Sequence, residues 1–168
     1  MEKGNLRQQI ERALEEERNN LFQYASYRFI ELADVEDVLQ DLYVTLLSKF
    51  ASLSGIANLK GYIYRTLSNC CTSRQRHQRN DEVYINDLSG FDVADMSPES
   101  FEDEFRLINA LLARLSPEQS ETIRLKLHCG LTFEQIAEIT EVPLPTAKSR
   151  FRYGIDKLRN ELKKYNLF

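Results

Sequence analysis

No run of apolar residues in this 168-residue chain approaches the roughly 18–20 needed to cross a bilayer. The N-terminal stretch MEKGNLRQQIERALEEERNN is too charged for the apolar centre of a secretory signal. A cytoplasmic protein without membrane insertion is therefore expected. Glycine is sparse, six residues scattered singly, so no glycine loop is available to cradle a phosphate. Three cysteines, Cys70, Cys71 and Cys129, lack the two close-spaced ligand pairs of a structural zinc site. The two histidines, His77 and His128, stand in no nucleophile or metal constellation. These absences predict no metal, no cofactor and no catalytic centre. Strand-like alternation and internal repeats are missing too, which leaves an all-α class.

What is present is charge, unevenly distributed. The net charge is −4, with 42% hydrophobic and 29% charged residues. Residues 1–80 carry a net +1, residues 81–105 a net −9 with no lysine or arginine, and residues 106–168 a net +4. All the excess acid lies in one central stretch, NDEVYINDLSGFDVADMSPESFEDEF, where helical periodicity also fails. Its Asn, Asp, Ser, Gly and Pro residues are turn formers, and its apolar residues are isolated. Residues 80–103 are thus expected to be an acidic flexible linker between two helical domains, 1–79 and 104–168. About 24 such residues relax to roughly 25–30 Å end to end and stretch to about 80 Å.

Within the first domain a charged helix is predicted over Asn5–Asn19, followed by an aromatic segment from Leu21 to Ile30. After Asp34, Val35, Val38, Leu39, Leu42, Tyr43, Leu46, Leu47 and Phe50 form one apolar stripe at helical spacing. A further helix is predicted from about Leu59 to Gln78. Within the second domain, Phe105–Leu115 places Leu107, Ile108, Leu111 and Leu112 inward. Ser116-Pro117-Glu118-Gln119 starts the next helix, with Ser as N-cap and Pro at the first helical position. It runs through Ile123, Leu125 and Leu127 to Gly130, a suitable C-terminal cap.

The segment LTFEQIAEITEVPLPTAKSRFRYGIDKLRNEL, Leu131–Leu162, has the layout of a helix-turn-helix. Thr132 and Gln135 make a capping box, Glu141-Val142-Pro143 forms the turn, and Pro145 suits the first turn of the second helix. Ala147, Phe151, Ile155, Leu158 and Leu162 recur at steps of four, four, three and four and mark its buried side. Lys148, Ser149, Arg152 and Asp156 project from the opposite side. Lys148 and Arg152 can pair with guanine or phosphate, and Ser149 can donate or accept. Arg150 is better placed for backbone phosphate, and contact should weaken at Asp156. An amphipathic helix with merely solvated charges is the plainer alternative, but the coincident turn and caps favour DNA binding.

The phrase from Leu115 to Leu162 resembles the C-terminal DNA-binding region of RNA polymerase sigma factors, in particular the compact extracytoplasmic-function (ECF) group. Leu115, Pro117, Glu118 and Gln119, then Gly130, Thr132, Phe133, Glu134, Ile136, Ala137 and Glu138, then Thr146, Lys148, Ser149 and Arg150 carry that likeness. In the first half, Asp34-Val-Glu-Asp-Val-Leu-Gln-Asp-Leu-Tyr43 is similar to the family's acidic Asp-Ala-Glu-Asp-Leu-x-Gln-Glu helix. Leu59 to Asn69, followed by Arg74 and Arg76, is similar to its Trp-Leu-x-x-Ile-Ala-Arg-Asn helix with a basic end. Tyr62 stands where the family usually has Trp.

The resemblance implies a factor that binds core RNA polymerase, recognises promoter DNA and promotes transcription initiation. It implies that Asp34, Asp37, Gln40 and Asp41 dock on the clamp coiled coil of the polymerase's largest subunit. Tyr62, Tyr64, Arg65, Asn69, Arg74 and Arg76 become candidates for capturing and melting the minus-ten element, aromatic faces stacking on unpaired bases. Burial of one or both tyrosines in the core is the competing reading. Thr146, Lys148, Ser149, Arg150 and Arg152 would hold the minus-thirty-five element. The acidic linker would thread toward the RNA exit path, and an anti-sigma protein is an implied partner. A stand-alone helix-turn-helix regulator and a sigma-like decoy that binds only a partner are the alternatives.

Overall fold

The computed structural model describes residues 2–81 and 101–164. Among them are seven α-helices, one 3-10 turn and no strand. The helices are α1 (Glu2–Ser26), α2 (Leu32–Ser48), α3 (Leu59–Asp81), α4 (Phe101–Ala113), α5 (Pro117–Leu127), α6 (Phe133–Thr140) and α7 (Leu144–Lys164), with the 3-10 turn at Phe50–Leu53. The chain splits into two compact units, one built on α1–α3 and the other, in the main, on α4–α7. The expected linker falls mostly on residues 82–100, outside the described residues; its two ends belong to α3 and α4.

The N-terminal unit is a three-helix core. The charged segment and the aromatic segment expected to follow it are one continuous helix, α1. No glycine or proline interrupts the register between them, and Ile10, Leu14, Leu21, Tyr24 and Ala25 keep one buried stripe along it. From α2 the buried residues are Val35, Val38, Leu42 and Leu46, a narrower stripe than the sequence pattern suggests. Tyr43 and Leu47 are not part of it: both face outward with Val44. The third side of the core comes from Ile63, Tyr64, Leu67 and Cys71 of α3. Complete burial of each large aliphatic side chain contributes about 1.5–3 kcal/mol.

Two polar knots tie α1 to α3. Glu17 accepts from Tyr64 Oη at 2.7 Å and from Asn20 Nδ2 at 3.2 Å, and pairs with Lys60 at 2.6 Å. Burial works against the Glu17 carboxylate, yet the hydrogen bonds from Lys60, Tyr64 and Asn20 and the Lys60 charge hold its pKa below the ordinary value. Beyond the end of α1, Arg28 donates to Tyr24 at 3.0 Å and to Gln75 at 3.1 Å, and Gln75 Nε2 returns a bond to the Arg28 carbonyl at 3.0 Å.

The C-terminal unit packs α7 across α4 and α5. Leu112, Leu115 and Ile123 form one cluster with Phe151, Ile155 and Leu158, and Leu107 and Leu111 form another with Leu158 and Leu162. Ile108, expected inward, is exposed, as is Leu127 near the end of α5. The tightest approach is at Gly154, where an added Cβ would lie 2.7 Å from Ile123 Cδ1. Ser116 caps α5 by accepting from the Gln119 N–H at 3.3 Å. At the other end Gly130 takes φ +65°, and the Leu131 N–H reaches back to the Leu125 carbonyl at 3.2 Å.

Candidate nucleic-acid and polymerase interfaces

The α6–turn–α7 unit begins with a reciprocal capping box: the Gln135 N–H donates to Thr132 Oγ1 at 3.2 Å, and the Thr132 N–H donates to Gln135 Oε1 at 2.9 Å. The turn is closed by Val142 N–H to the Ala137 carbonyl at 3.0 Å. Glu141 adopts φ +54°, the left-handed conformation that a reversal this tight demands and that a side chain resists by about 1 kcal/mol. Pro143 opens α7, its carbonyl accepting from the Thr146 and Ala147 N–H groups at 2.9 and 3.1 Å. Ala147 and Gly154, fully covered, let α7 lie close to its neighbours. The Phe133 and Phe151 rings meet edge to face at 5.4 Å, which fixes α6 against α7.

Opposite that packed side, Lys148 and Arg152 are exposed, while Thr146, Ser149 and Arg150 are half-buried. Ser149 Oγ donates to the Thr146 carbonyl at 3.0 Å, leaving its lone pairs outward. Asp156 is paired with Arg159 at 3.1 Å, so its charge is partly offset within the helix. Sequence reasoning missed Tyr153, which is 55% exposed and lies under the Arg152 guanidinium at 5.1 Å from the ring centroid. It sits one turn beyond Ser149 on the outward face, a signal available from helical spacing alone. The surface combines two cations, a hydroxyl and an aromatic plane, groups suited to phosphates and base edges.

In the N-terminal unit the expected minus-ten set divides. Tyr62, Arg65, Asn69 and Arg76 share one side of α3 at steps of three, four and seven. Tyr62, Arg65, Thr66, Asn69, Cys70 and Ser73 line an open groove of about 620 Å³, with Thr45 of α2 and Lys49 just beyond its end across it. The Cys70 thiol in this groove has its pKa raised by burial and by the Asp41 charge, so it stays protonated.

Two residues leave the set. Tyr64 is wholly buried, edge to face with Tyr24 at 6.3 Å and bonded to Glu17, so no base can reach its ring. It lies 200° around the helix from Tyr62, so one tyrosine faces inward when the other faces out. Arg74 is turned toward α2 instead of the groove. Its Nε donates to Asp34 Oδ1 at 2.9 Å, and its Nη2 lies 2.8 Å from Asp34 Oδ1 and 2.7 Å from Asp37 Oδ2. The hydrogen bond to Asp34 is the main reason its pKa rises above the ordinary arginine value.

The expected polymerase-docking residues lie together on α2. Asp34 and Asp37 are half-buried and Gln40 and Asp41 exposed, with Asp34 in the first turn, where the helix dipole favours an acid. At 100° per residue, Asp41, Asp37, Val44, Gln40, Leu47 and Tyr43 follow one another around a single outward arc. Val44 is 66% exposed, and Tyr43 and Leu47 are 44% and 43% exposed. Acids thus edge an apolar strip, the composition of a protein-binding surface more than of a solvated helix. Among the described residues no group of three His, Cys, Asp or Glu side chains is placed to hold a metal ion, and no helix is long and apolar enough to cross a membrane.

Comparison with known proteins bears on both units. The "Sigma-70 region 2" family model matches residues 13–80, and the "Sigma-70, region 4" model matches residues 111–160. The chain is 25% identical over 147 residues to the ECF RNA polymerase sigma-E factor of Haemophilus influenzae, covering 80% of this chain and 78% of that protein. It is 26% identical to the RNA polymerase sigma factor SigZ of Bacillus subtilis, covering 83% and 78% respectively. Among solved structures, the sigma factor RpoE in complex with the anti-sigma factor NepR, from Bartonella quintana, is similar at a TM-score of 0.54 and 25% identity, over 95% of this chain and 97% of that one. CnrH, solved with the cytosolic domain of CnrY, shares the fold at a TM-score of 0.58 and 16% identity, over 94% and 90%.

Family matches to sigma-70 regions 2 and 4, one on each unit and in that order along the chain, make this a transcription initiation factor. The chain belongs to the sigma-70 family and is a sigma factor of the ECF type. Such a factor binds core RNA polymerase, recognises promoter DNA and promotes initiation.

Proposed function

We infer that the two units divide the work of promoter recognition between them. The α2 arc of Asp34, Asp37, Gln40 and Asp41, extended by Val44 and Leu47, docks on core RNA polymerase. The α3 side bearing Tyr62, Arg65, Asn69 and Arg76 takes the minus-ten element, the Tyr62 ring stacking on an unpaired base while the cations hold phosphates. The outer face of α7, with Thr146, Lys148, Ser149, Arg150 and Arg152 and now Tyr153, enters the major groove at the minus-thirty-five element. The observation that carries this assignment is the pairing, in one chain, of a capped helix-turn-helix with an exposed apolar strip edged by acids. DNA binding alone would need only the first.

The acidic stretch between α3 and α4 serves as the tether between the two functional units, its charge suited to a channel made to hold RNA. The chain contributes by binding, not by catalysis, and works in the cytoplasm where polymerase and promoter are. An anti-sigma protein is its partner when it is idle. The solved relative in complex with the anti-sigma factor NepR supports that reading, as does the exposed apolar area on α2, which needs a cover in the free state. Mixing the purified chain with core polymerase and assaying promoter opening tests the proposal. Absence of a stable holoenzyme, or transcription with no promoter dependence, would overturn it.

A further inference from the structure

Arg74 has the sequence context of a DNA contact and the geometry of something else. It lies about 120° around α3 from Tyr62, well off the side shared by Tyr62, Arg65, Asn69 and Arg76. Its side chain is about two-thirds covered, and its guanidinium bridges Asp34 and Asp37, which stand one turn apart on α2. To reach a phosphate it would have to abandon both carboxylates at once. Left alone, two like charges at that spacing repel and rotate apart into solvent. Bridged, each is held by a charge-assisted contact under 3 Å that restricts its swing into solvent. The bridge uses Asp34 Oδ1 and Asp37 Oδ2, so the other oxygen of each carboxylate is not engaged by Arg74. An incoming basic partner would meet an acid pair already set in place beside Gln40 and Asp41.

We propose that Arg74 is a positioning residue of the polymerase-docking surface, holding Asp34 and Asp37 in the geometry the polymerase reads. The inference rests on the reading of α2 as that surface. Presetting two acidic side chains removes an ordering cost from association and strengthens it about five- to twentyfold. Arginine suits the task because its planar fork can address two carboxylates together; a lysine ammonium keeps the charge but not the fork.

The test measures, for the full chain, the Kd for core polymerase and the rate of promoter opening at saturating polymerase. Arg74→Ala should raise that Kd about five- to twentyfold and change the opening rate less than twofold. Arg74→Lys should fall between the two, whereas a phosphate-gripping role would let lysine substitute almost fully. In a double-mutant cycle, Arg74→Ala and Asp37→Asn should cost less together than the sum of their separate effects on Kd. This comparison, with Arg74→Lys, also serves if Arg74→Ala folds poorly. An unchanged Kd with slowed opening would make Arg74 a DNA contact and overturn the proposal, as would additive effects in the cycle. Gln40→Ala and Asp41→Asn separate the two layers of reasoning. If both leave polymerase affinity intact, the docking surface itself is misassigned and Arg74's role goes with it. If they weaken affinity and Arg74→Ala does not, only the role of Arg74 fails.

Discussion

Gly154→Ala is the substitution whose outcome the packing determines most sharply. In an unconstrained helix interior this change stabilises by about 0.8–1.0 kcal/mol, because alanine loses less conformational freedom on folding. Here the new methyl would sit 2.7 Å from Ile123 Cδ1, with Gln119 Cβ a further 3.4 Å neighbour. Ile123 is 2% exposed and wedged with Leu112 and Leu115, so its terminal methyl has little room to retreat. Overpacking of a filled core costs about 1–3 kcal/mol. The difference leaves a net loss centred near 1 kcal/mol, the reverse of the helix-propensity expectation.

The obstructing atom can be removed on its own. Ile123→Val deletes Cδ1 and by itself costs about 0.5–1.5 kcal/mol. In the Gly154→Ala background it should cost nothing or restore stability, a coupling of about 1 kcal/mol or more. Thermal unfolding of the full chain, with amide exchange in α5 reporting on the C-terminal unit, would resolve this. For a unit of this size 1 kcal/mol moves the midpoint by roughly 4–8 °C. Stabilisation by Gly154→Ala, or strict additivity with Ile123→Val, would refute the close α5–α7 contact.

Three further outcomes follow from the described geometry. Lys148→Ala and Arg152→Ala should each weaken minus-thirty-five DNA binding and, where the lost contact is to phosphate, lower the slope of log K against log salt by about one; unchanged slopes would place both cations off the DNA. Tyr64→Ala should destabilise the N-terminal unit by about 3–5 kcal/mol, as large buried aromatics do, whereas Tyr62→Ala should leave folding nearly intact and slow promoter opening; denaturant titration beside an opening assay separates them. Burial, assisted by the nearby Arg124 charge, lowers the His128 pKa to about 4. Between that value and 6.5 the unfolded chain binds a proton that the folded chain refuses, so the stability contributed by neutral His128 is present above 6.5 and lost as pH falls toward 4. His128→Gln should flatten that part of the stability–pH curve, and an unaltered curve would show that the imidazole is not responsible.

Local signals in the sequence carried well. The Thr132–Gln135 capping box, the Ser116 cap, the left-handed Gly130 and the packed side of α7 all involve residues within a few positions of each other, so pattern and geometry coincide. The errors arose where a neighbour distant in sequence decides. Tyr43, Leu47 and Ile108 lie at the margins of apolar stripes, and whether a margin is covered depends on how wide the opposing helix is. Tyr64 could have been placed, since Ile63, Tyr64, Leu67 and Cys71 recur at steps of one, three and four and outline the buried side of α3. The partner of Arg74 could not, because Asp34 is forty positions away and nothing local marks the pair. The exposed ring of Tyr153 was visible at helical spacing but overshadowed by the charges around it.

The bridge from Arg74 to Asp34 and Asp37 also constrains how this protein can change over generations. A lineage that alters Asp34 or Asp37 to suit a different polymerase leaves the Arg74 guanidinium at the basic end of α3 without its carboxylate partner. Change in the acids of α2 and change at the basic end of α3 are therefore linked through one side chain. Among descendants of this chain, acids at positions 34 and 37 should be lost or kept in step with arginine at 74, while Gln40, which the bridge does not touch, can change without a change at 74.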